Sequence, residues 1–254
     1  MKFASLGSGS KGNSTLVYSD DTYIMVDCGF SAKETSARLG KIGLDPTKIN
    51  AIVLTHEHGD HVKGAGAFSR RYKTPIWSTF GTYQNAKLGK LPAIHYISPH
   101  GGSFQIKNIK VTPYAVPHDA KEPCQYIFQS DHKKLAILTD IGCITPHILK
   151  HLQGLDGLLL EANHDYQMLQ RGAYPPSVKR RVSGNMGHLN NMQTVELLKQ
   201  LDYQQLKTLV IGHLSAQNNC VDIVRNEIKK VVTALQLPFN ILTQDAPSQW
   251  FLVA

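Results

Sequence analysis

The chain reads as an α+β protein whose interior is built from short buried strands and covered by amphipathic helices. Three observations lead there. Apolar runs such as Ala51-Ile52-Val53-Leu54, Leu135-Ala136-Ile137-Leu138 and Leu209-Val210-Ile211 recur between turn residues. They have the length of buried strands and are too short for helices. Residues 192–201 and 221–235 instead place apolar residues at helical spacing. The densest polar cluster, Thr55 to His61, directly follows one of the strand-like runs, where α/β-type folds put their sites.

Taken in order, 2–6, 14–18 and 23–26 are expected strands, with Asp20-Asp21 as the turn between the last two. Ser31-Ala32-Lys33-Glu34 has the pattern of a capping box and predicts a helix to about Leu39, stopped by Gly40. A strand over 51–54 leads into the polar cluster, and 62–72 reads as one helix with early glycines. Strands are expected near 94–97, 103–106, 110–114, 125–129 and 134–138. Thr145-Pro146 opens a helix with proline at its first position. A buried strand over 156–160, the two amphipathic helices and a closing strand over 248–253 complete the series.

A length of 254 residues suits one large domain, 1–254, with a substantial core. No linker-like or low-complexity stretch divides it. No apolar run approaches the roughly eighteen residues of a membrane span, and the start lacks a hydrophobic export signal, so a cytoplasmic protein without membrane contact is expected. Cys28, Cys124, Cys143 and Cys220 are scattered, which predicts reduced thiols. The net charge is +8 and the isoelectric point about 9.2. An enzyme of small neutral substrates has no use for such charge, whereas a polyanion does. Basic residues cluster at Arg70-Arg71-Tyr72-Lys73 and Lys179-Arg180-Arg181. Either cluster alone reads first as a solvated helix end.

His56-Glu57-His58-Gly59-Asp60-His61 packs three imidazoles and a carboxylate beside one strand end. Imidazole suits zinc, iron and manganese, and carboxylate adds a hard anionic donor. Alternation points His56 and His58 the same way, while Asp60 and His61 turn toward a neighbouring point, so the loop can serve two ions. Gly7-Ser8-Gly9-Ser10-Lys11-Gly12 matches a dinucleotide fingerprint only in letters. A strand follows it instead of the helix such a site requires, so a glycine-rich hairpin loop beside the site is expected. His147 and His151 lack the glutamate of a zinc-protease helix and read as helix-end histidines. His95, His100 and His132 have no evident partners.

The His-x-His-x-Asp-His run resembles the signature of the metallo-β-lactamase superfamily. The remaining parts of that pattern follow in order: Asp27 after a strand, His118 in Val116-Pro117-His118, Asp140 after Leu135–Thr139, and His213 after Leu209–Gly212. The resemblance implies a four-layer αββα sandwich with two similar halves. It assigns His56, His58 and His118 to one metal, Asp60, His61 and His213 to a second, and Asp140 to both. It makes Asp27 a carboxylate that orients a ligand imidazole, or else a turn cap. Two ions roughly 3.5–4 Å apart suit in-line attack on phosphorus, with hydroxide formed near neutral pH from a shared water.

Glu161, ending Leu158-Leu159-Leu160-Glu161, and His188, before a helix, resemble the orienting carboxylate and general acid of the superfamily's phosphodiesterase branch. A helix N-cap is the alternative for His188. His164 is either a phosphate contact or a surface histidine. With His213 only 73 positions after Asp140, a β-CASP cap has no room. Glu161-Ala162-Asn163-His164-Asp165-Tyr166, His213-Leu214-Ser215-Ala216-Gln217-Asn218-Asn219 and the opening Gly-Ser-Gly-Ser-Lys-Gly-Asn are similar to the capless YycJ (WalJ, VicX) family of bacterial proteins. One departure is Asn190, where that family has serine. The resemblance implies a 5′-to-3′ exonuclease on single-stranded DNA using two divalent ions, manganese or zinc with iron possible, in which Asp60, Glu161 and His188 serve catalysis. A thioester or lactone hydrolase on the same fold is the alternative.

Overall fold

The computed structural model describes residues 1–233 and 236–254. The first sheet contains β1 (Lys2–Gly7), β2 (Ser14–Ser19), β3 (Thr22–Val26), β4 (Ile49–Val53), β5 (Ile76–Thr79), β6 (Ile94–Ile97) and the last strand of the chain, Phe251–Leu252. The second contains β7 (Phe104–Ile106), β8 (Ile109–Ala115), β9 (Cys124–Ser130), β10 (Lys133–Leu138), β11 (Gly157–Glu161), β12 (Thr208–Gly212) and β13 (Phe239–Ile241). With Phe251–Leu252 as β14, the orders are β14-β1-β2-β3-β4-β5-β6 and β13-β12-β11-β10-β9-β8-β7. Each sheet joins an antiparallel run to a parallel one that begins at β3 or β10. The two halves are thus similar in plan.

Alternation within the strands builds the layers. Ile24, Val26, Ala51 and Val53 face an apolar layer that also takes Leu135, Ile137, Leu159 and Val210 from the other sheet. Their neighbours Met25, Ile52 and Leu54 point outward into a second layer. Ala136, Leu138, Leu158, Leu160, Leu209 and Ile211 point outward into a third. A period of two sends successive side chains to opposite faces, so strands that are apolar throughout must be covered on both sides. The helices provide that cover: α1 (Ala32–Lys41), α2 (Gly59–Val62), α3 (Ala65–Tyr72) and α4 (Phe80–Asn85) accompany the first sheet. The second is accompanied by α5 (Pro146–His151), α6 (Tyr166–Arg171), α7 (Pro176–Ser183), α8 (Asn191–Lys199) and α9 (Val221–Val232). The result is the expected αββα sandwich. Among the described residues no helix is long and apolar enough to cross a membrane.

Several boundaries differ from expectation for local reasons. Ser31 does cap α1, accepting from Glu34 N–H at 3.2 Å. Glu34 bonds Arg38 instead of closing the box, and the helix passes Gly40 to end at Lys41. The single helix expected over 62–72 is two, α2 and α3, broken at Lys63-Gly64. Gly64 N–H donates to Cys28 O, and a Cβ there would lie 2.0 Å from Phe30 O. The expected helix 221–235 ends at Val232 among the described residues, and its last expected residue, Leu235, lies outside them. β5, α4, α6, α7 and β13 escaped the sequence reading: they are short, and α7 buries no residue, so no periodicity marks them. The cysteines are unpaired, Cys28 and Cys124 being buried.

Gly29 fixes the approach of the loop after β3 to the polar cluster. A Cβ at this position would lie 1.7 Å from Asp60 O, while nothing lies within 4 Å of one at Gly40. Gly29→Ala is expected to destabilise the protein by about 1–3 kcal/mol or more, as overpacking does. Gly40→Ala should stabilise helix α1 by up to about 1 kcal/mol. Urea-unfolding midpoints of the two variants check both signs.

Candidate metal centre

Every sequence-singled ligand lies at one rim of the sandwich. Asp27 follows β3, His56 follows β4, and Asp140 and His213 follow β10 and β12. β8 runs parallel to β10 because both are antiparallel to β9, so His118 joins them. Asp27, Asp140 and His213 take left-handed backbone conformations, with φ of 60°, 54° and 56°. Such values are uncommon for residues with a side chain and cluster where a site dictates the geometry. Here they turn each chain sharply off its strand. The rim is locked across the sheets by Cys124 N–H to Thr55 O at 3.0 Å and by Tyr126 Oη to Leu54 O at 2.6 Å.

His56 Nε2 lies 3.0 Å from His58 Nδ1, which lies 3.3 Å from His118 Nε2. Ligands about 2.1 Å from a tetrahedral ion stand about 3.4 Å from one another, so these three nitrogens have the spacing of a ligand face. The opposite ring nitrogens set the tautomers. His118 Nδ1–H donates to Gly187 O at 3.1 Å. His56 Nδ1–H donates to Thr55 Oγ1 at 2.9 Å, and that hydroxyl donates to Asp27 Oδ2 at 2.8 Å.

A second group is formed by Asp60, His61 and His213. Asp60 Oδ2 is 3.6 Å from His61 Nε2 and 3.9 Å from His213 Nε2. His61 Nδ1–H donates to Asp27 Oδ2 at 2.8 Å. His213 Nδ1–H donates to Glu161 Oε1 at 3.0 Å. Asp140 stands between the groups, with Oδ2 3.3 Å from His61 Nε2 and Oδ1 3.9 Å from His118 Nε2. Asp140 Oδ2 and His213 Nε2 are buried without a hydrogen-bond partner among the described residues. Buried polar atoms are ordinarily paired. Converging nitrogen and carboxylate donors, two of them otherwise unsatisfied, fit divalent cations.

The electrostatics of the two groups differ. Burial, reinforced by His61, holds His56 well below the usual imidazole range. Burial likewise depresses His118, against the pull of Asp140. For His61 burial opposes the charged form, yet Asp140, Asp27 and Asp60 outweigh it and raise the group to about 9. His213 is raised well above its ordinary value on the same balance, by Asp140, Asp60 and Glu161. Asp140 is driven well below the carboxylate range despite burial, by His213, His61, His56 and His118. His56 and His118 thus present neutral imidazoles, whereas His61 and His213 hold protons that a cation must replace.

Glu161 is fully buried and does two things. Oε1 accepts from His213 Nδ1 at 3.0 Å and from His188 Nδ1 at 2.8 Å, while Oε2 accepts from Ile141 N–H at 3.1 Å. Thr194 Oγ1 holds the residue's backbone carbonyl at 2.7 Å. His188 is not a helix cap: Asn190 caps α8 in a full capping box with Gln193. Burial opposes the charged form of His188, but Glu161 and Asp140 outweigh it and raise its pKa.

His164 does not match either expectation. It is fully buried, is not among the residues lining the cavity at the site, and pairs neither ring nitrogen among the described residues. Burial lowers it to about 4, despite Glu161. Its contribution is from the backbone, where its carbonyl accepts from Asn191 N–H at 2.9 Å.

Sequence reasoning missed several residues that hold the site. Thr55 links His56 to Asp27. Asn13 Nδ2 stands 3.1 Å from His61 Nε2 and 3.3 Å from Asp60 Oδ2, and Ser8 Oγ accepts from His213 N–H at 2.8 Å. Both come from the glycine-rich loop, which carries the expected role at the site's edge. A cavity of about 380 Å³ opens over Asp60, Asp140, His188 and His213. Its outer wall is Tyr174 with Val178, Arg181 and Val182 of α7. Arg181 Nη1 pairs with Asp119 Oδ2 at 3.2 Å, so the basic cluster at 179–181 is partly drawn into the site.

Comparison with known proteins places this geometry. Residues 22–213 match the family described as the beta-lactamase superfamily domain. The chain is 32% identical over 235 residues to the exodeoxyribonuclease YycJ of Bacillus anthracis, covering 91% of this chain and 89% of that protein. It is 34% identical over 227 residues to the exodeoxyribonuclease WalJ of Streptococcus pneumoniae, covering 87% and 84%. In fold it is similar to the metallo-beta-lactamase fold protein YhfI of Bacillus subtilis, with a TM-score of 0.74 at 18% identity over 98% and 99% of the two chains.

Two expectations follow from the site. Asp140→Ala should lose metal from both ligand groups together, since its carboxylate faces each; metal analysis of the purified variant checks this, and retention of full content would refute it. Loading the metal-free protein with zinc near pH 7 should release protons, because His61 and His213 hold theirs there. Apparent affinity should rise with pH up to about 9. Calorimetry in buffers of different ionisation enthalpy reads the proton count.

Proposed function

The chain belongs to the beta-lactamase superfamily and is a metal-dependent hydrolase, and from that premise we propose that it removes nucleotides from ends of single-stranded DNA, in the 5′-to-3′ direction, with two divalent ions. The observation that carries this reading is the pair His188–Glu161 beside Asp140. An alkoxide leaving a phosphodiester is a poor leaving group, and its departure calls for an acid outside the ligand set. Glu161 accepts Nδ1–H of His188 at 2.8 Å and favours the charged ring, which leaves Nε2–H as the proton to give. His188 lines the cavity with Asp60 and Asp140.

His56, His58 and His118 would hold one ion, Asp60, His61 and His213 the other, with Asp140 between them. Manganese and zinc both suit these donors, with iron possible. Bound there, the ions supply Lewis acidity that offsets phosphate charge and acidifies water. Asp60 at the cavity wall accepts a hydrogen bond from the attacking water and orients it. Glu161 keeps His188 and His213 in fixed orientation with one oxygen. Arg181 adds a cation to the wall where phosphate enters. The charge of +8 and the names of the two curated relatives support DNA as the polyanion. Neither favours a thioester or lactone substrate.

One observation favours a second role for His188: its ring converges with Asp140 and His213 closely enough to ligate. His188→Ala separates the two. As an acid, its loss should leave metal content unchanged and lower turnover of an oligonucleotide by roughly 10² to 10⁴. A p-nitrophenyl phosphodiester, whose leaving group needs little protonation, should be affected far less. Loss of metal would assign His188 to the ligands, and equal impairment on both substrates with metal retained would make it a structural residue; either result removes the acid role.

A further inference from the structure

Between Asp60 and Asp119 the chain carries Lys63, Arg70, Arg71, Lys73, Lys87, Lys90, Lys107 and Lys110 and no acidic residue. All eight are exposed, and none joins an ion pair among the described residues. This stretch includes α3, α4 and the edge strands β6 and β7 of the two sheets.

An aromatic cluster belongs to the same stretch of chain. Phe80, first residue of α4, and Tyr96 of β6 are 52% and 53% exposed. Tyr96 meets Phe80 at 5.5 Å and Tyr83 at 5.4 Å between ring centroids, both edge to face. Tyr83 is half-buried against the outer apolar layer of the first sheet. The cluster is thus rooted in the fold while two of its rings face solvent.

The cluster is also tied to the metal centre. Glu122 accepts from Gly81 N–H at 2.8 Å, and its carbonyl accepts from Thr79 Oγ1 at 2.9 Å. The same short loop begins at His118 and is joined by Lys121 N–H to Glu57 Oε1 at 2.8 Å, inside the His56–His61 segment. The carboxylate of Glu122, beside α4, is engaged with the helix backbone.

We propose that Phe80 and Tyr96 form a stacking platform for the bases of single-stranded DNA beyond the nucleotide held at the metals, with the exposed lysines and arginines of the same stretch drawing in its phosphates. This inference rests on the nuclease reading and adds a physical basis for strand preference. Exposed aromatic rings in a cationic field hold unpaired bases of any sequence. In a duplex the bases already stack on one another and cannot lie on the rings.

The test uses the metal-loaded full chain, phosphorothioate-linked oligothymidylate of about ten nucleotides, the matching dinucleotide, and fluorescence anisotropy. Phe80→Ala/Tyr96→Ala should weaken the longer probe roughly 10- to 100-fold. It should leave the dinucleotide, the p-nitrophenyl phosphodiester turnover and the salt slope unchanged. Phe80→Trp/Tyr96→Trp should restore binding, which excludes misfolding. Lys87→Ala/Lys90→Ala should instead reduce the log–log salt slope by about 1.4, near 0.7 for each lost phosphate contact. Wild-type binding of the longer probe by the alanine pair overturns the platform, as does equal weakening of both probes. Loss of self-association in sedimentation with DNA binding intact would make the patch a protein interface and also overturn it. If the wild-type chain cleaves the p-nitrophenyl ester yet binds no oligonucleotide, the DNA reading itself fails, and the platform with it.

Discussion

The site depends on one buried carboxylate. Asp27 accepts from Thr55 N–H, Thr55 Oγ1 and His61 Nδ1, each at 2.8 Å. Those bonds fasten the end of β3 to the end of β4 and fix two candidate ligand imidazoles, His61 directly and His56 through the threonine hydroxyl. A buried charge is tolerable only when fully hydrogen-bonded, so the same contacts that orient the ligands also make the carboxylate acceptable in the interior. The left-handed turn at Asp27 delivers that side chain beneath the His56–His61 segment. In the other half Glu161 plays the matching part, with one oxygen shared by His213 and His188 and the other on Ile141 N–H. Each half therefore supplies a carboxylate that positions histidines.

This arrangement explains why the ligand imidazoles differ in charge although their donor types are alike. At His56 and His118 burial dominates and neighbouring imidazoles add to it, so that Asp140, and at His118 also Asp119, do not restore the proton. His61 and His213 each contact two or three carboxylates, and the attraction exceeds the cost of burial. The asymmetry comes from which loops the acidic residues sit on.

Much of this was legible in the chain. His56, His58, Asp60 and His61 are contiguous, and Asp27, His118, Asp140, Glu161 and His213 each terminate or follow a readable apolar run. A strand end is a position that sequence can locate and that a sandwich rim brings together. Thr55, Asn13, Ser8 and Gly187 act through hydrogen bonds to distant segments, and a hydroxyl, an amide or a carbonyl carries no mark of that in its own neighbourhood. The break at Gly64 depends on the close approach of Phe30, again a long-range fact. Helix α7, with no buried residue, offers no pattern, although Val178 and Val182 line the cavity. His164 was misjudged because sequence shows a polar residue but not the packing that encloses it.

The candidate ligands come from both sheets: His56, His58, Asp60 and His61 from the first, His118, Asp140 and His213 from the second. A cation shared by donors of both is a crosslink between parts far apart in the chain. In the unfolded chain such a crosslink would close a long loop, and closing a loop removes conformational entropy. Metal binding, which requires the assembled rim, is therefore also folding free energy. A chelator would do more than silence the chemistry. It would loosen the sandwich at an edge that is otherwise fastened by hydrogen bonds alone, among them Cys124 N–H on Thr55 O, the Tyr126 hydroxyl on Leu54 O and His213 N–H on Ser8 Oγ.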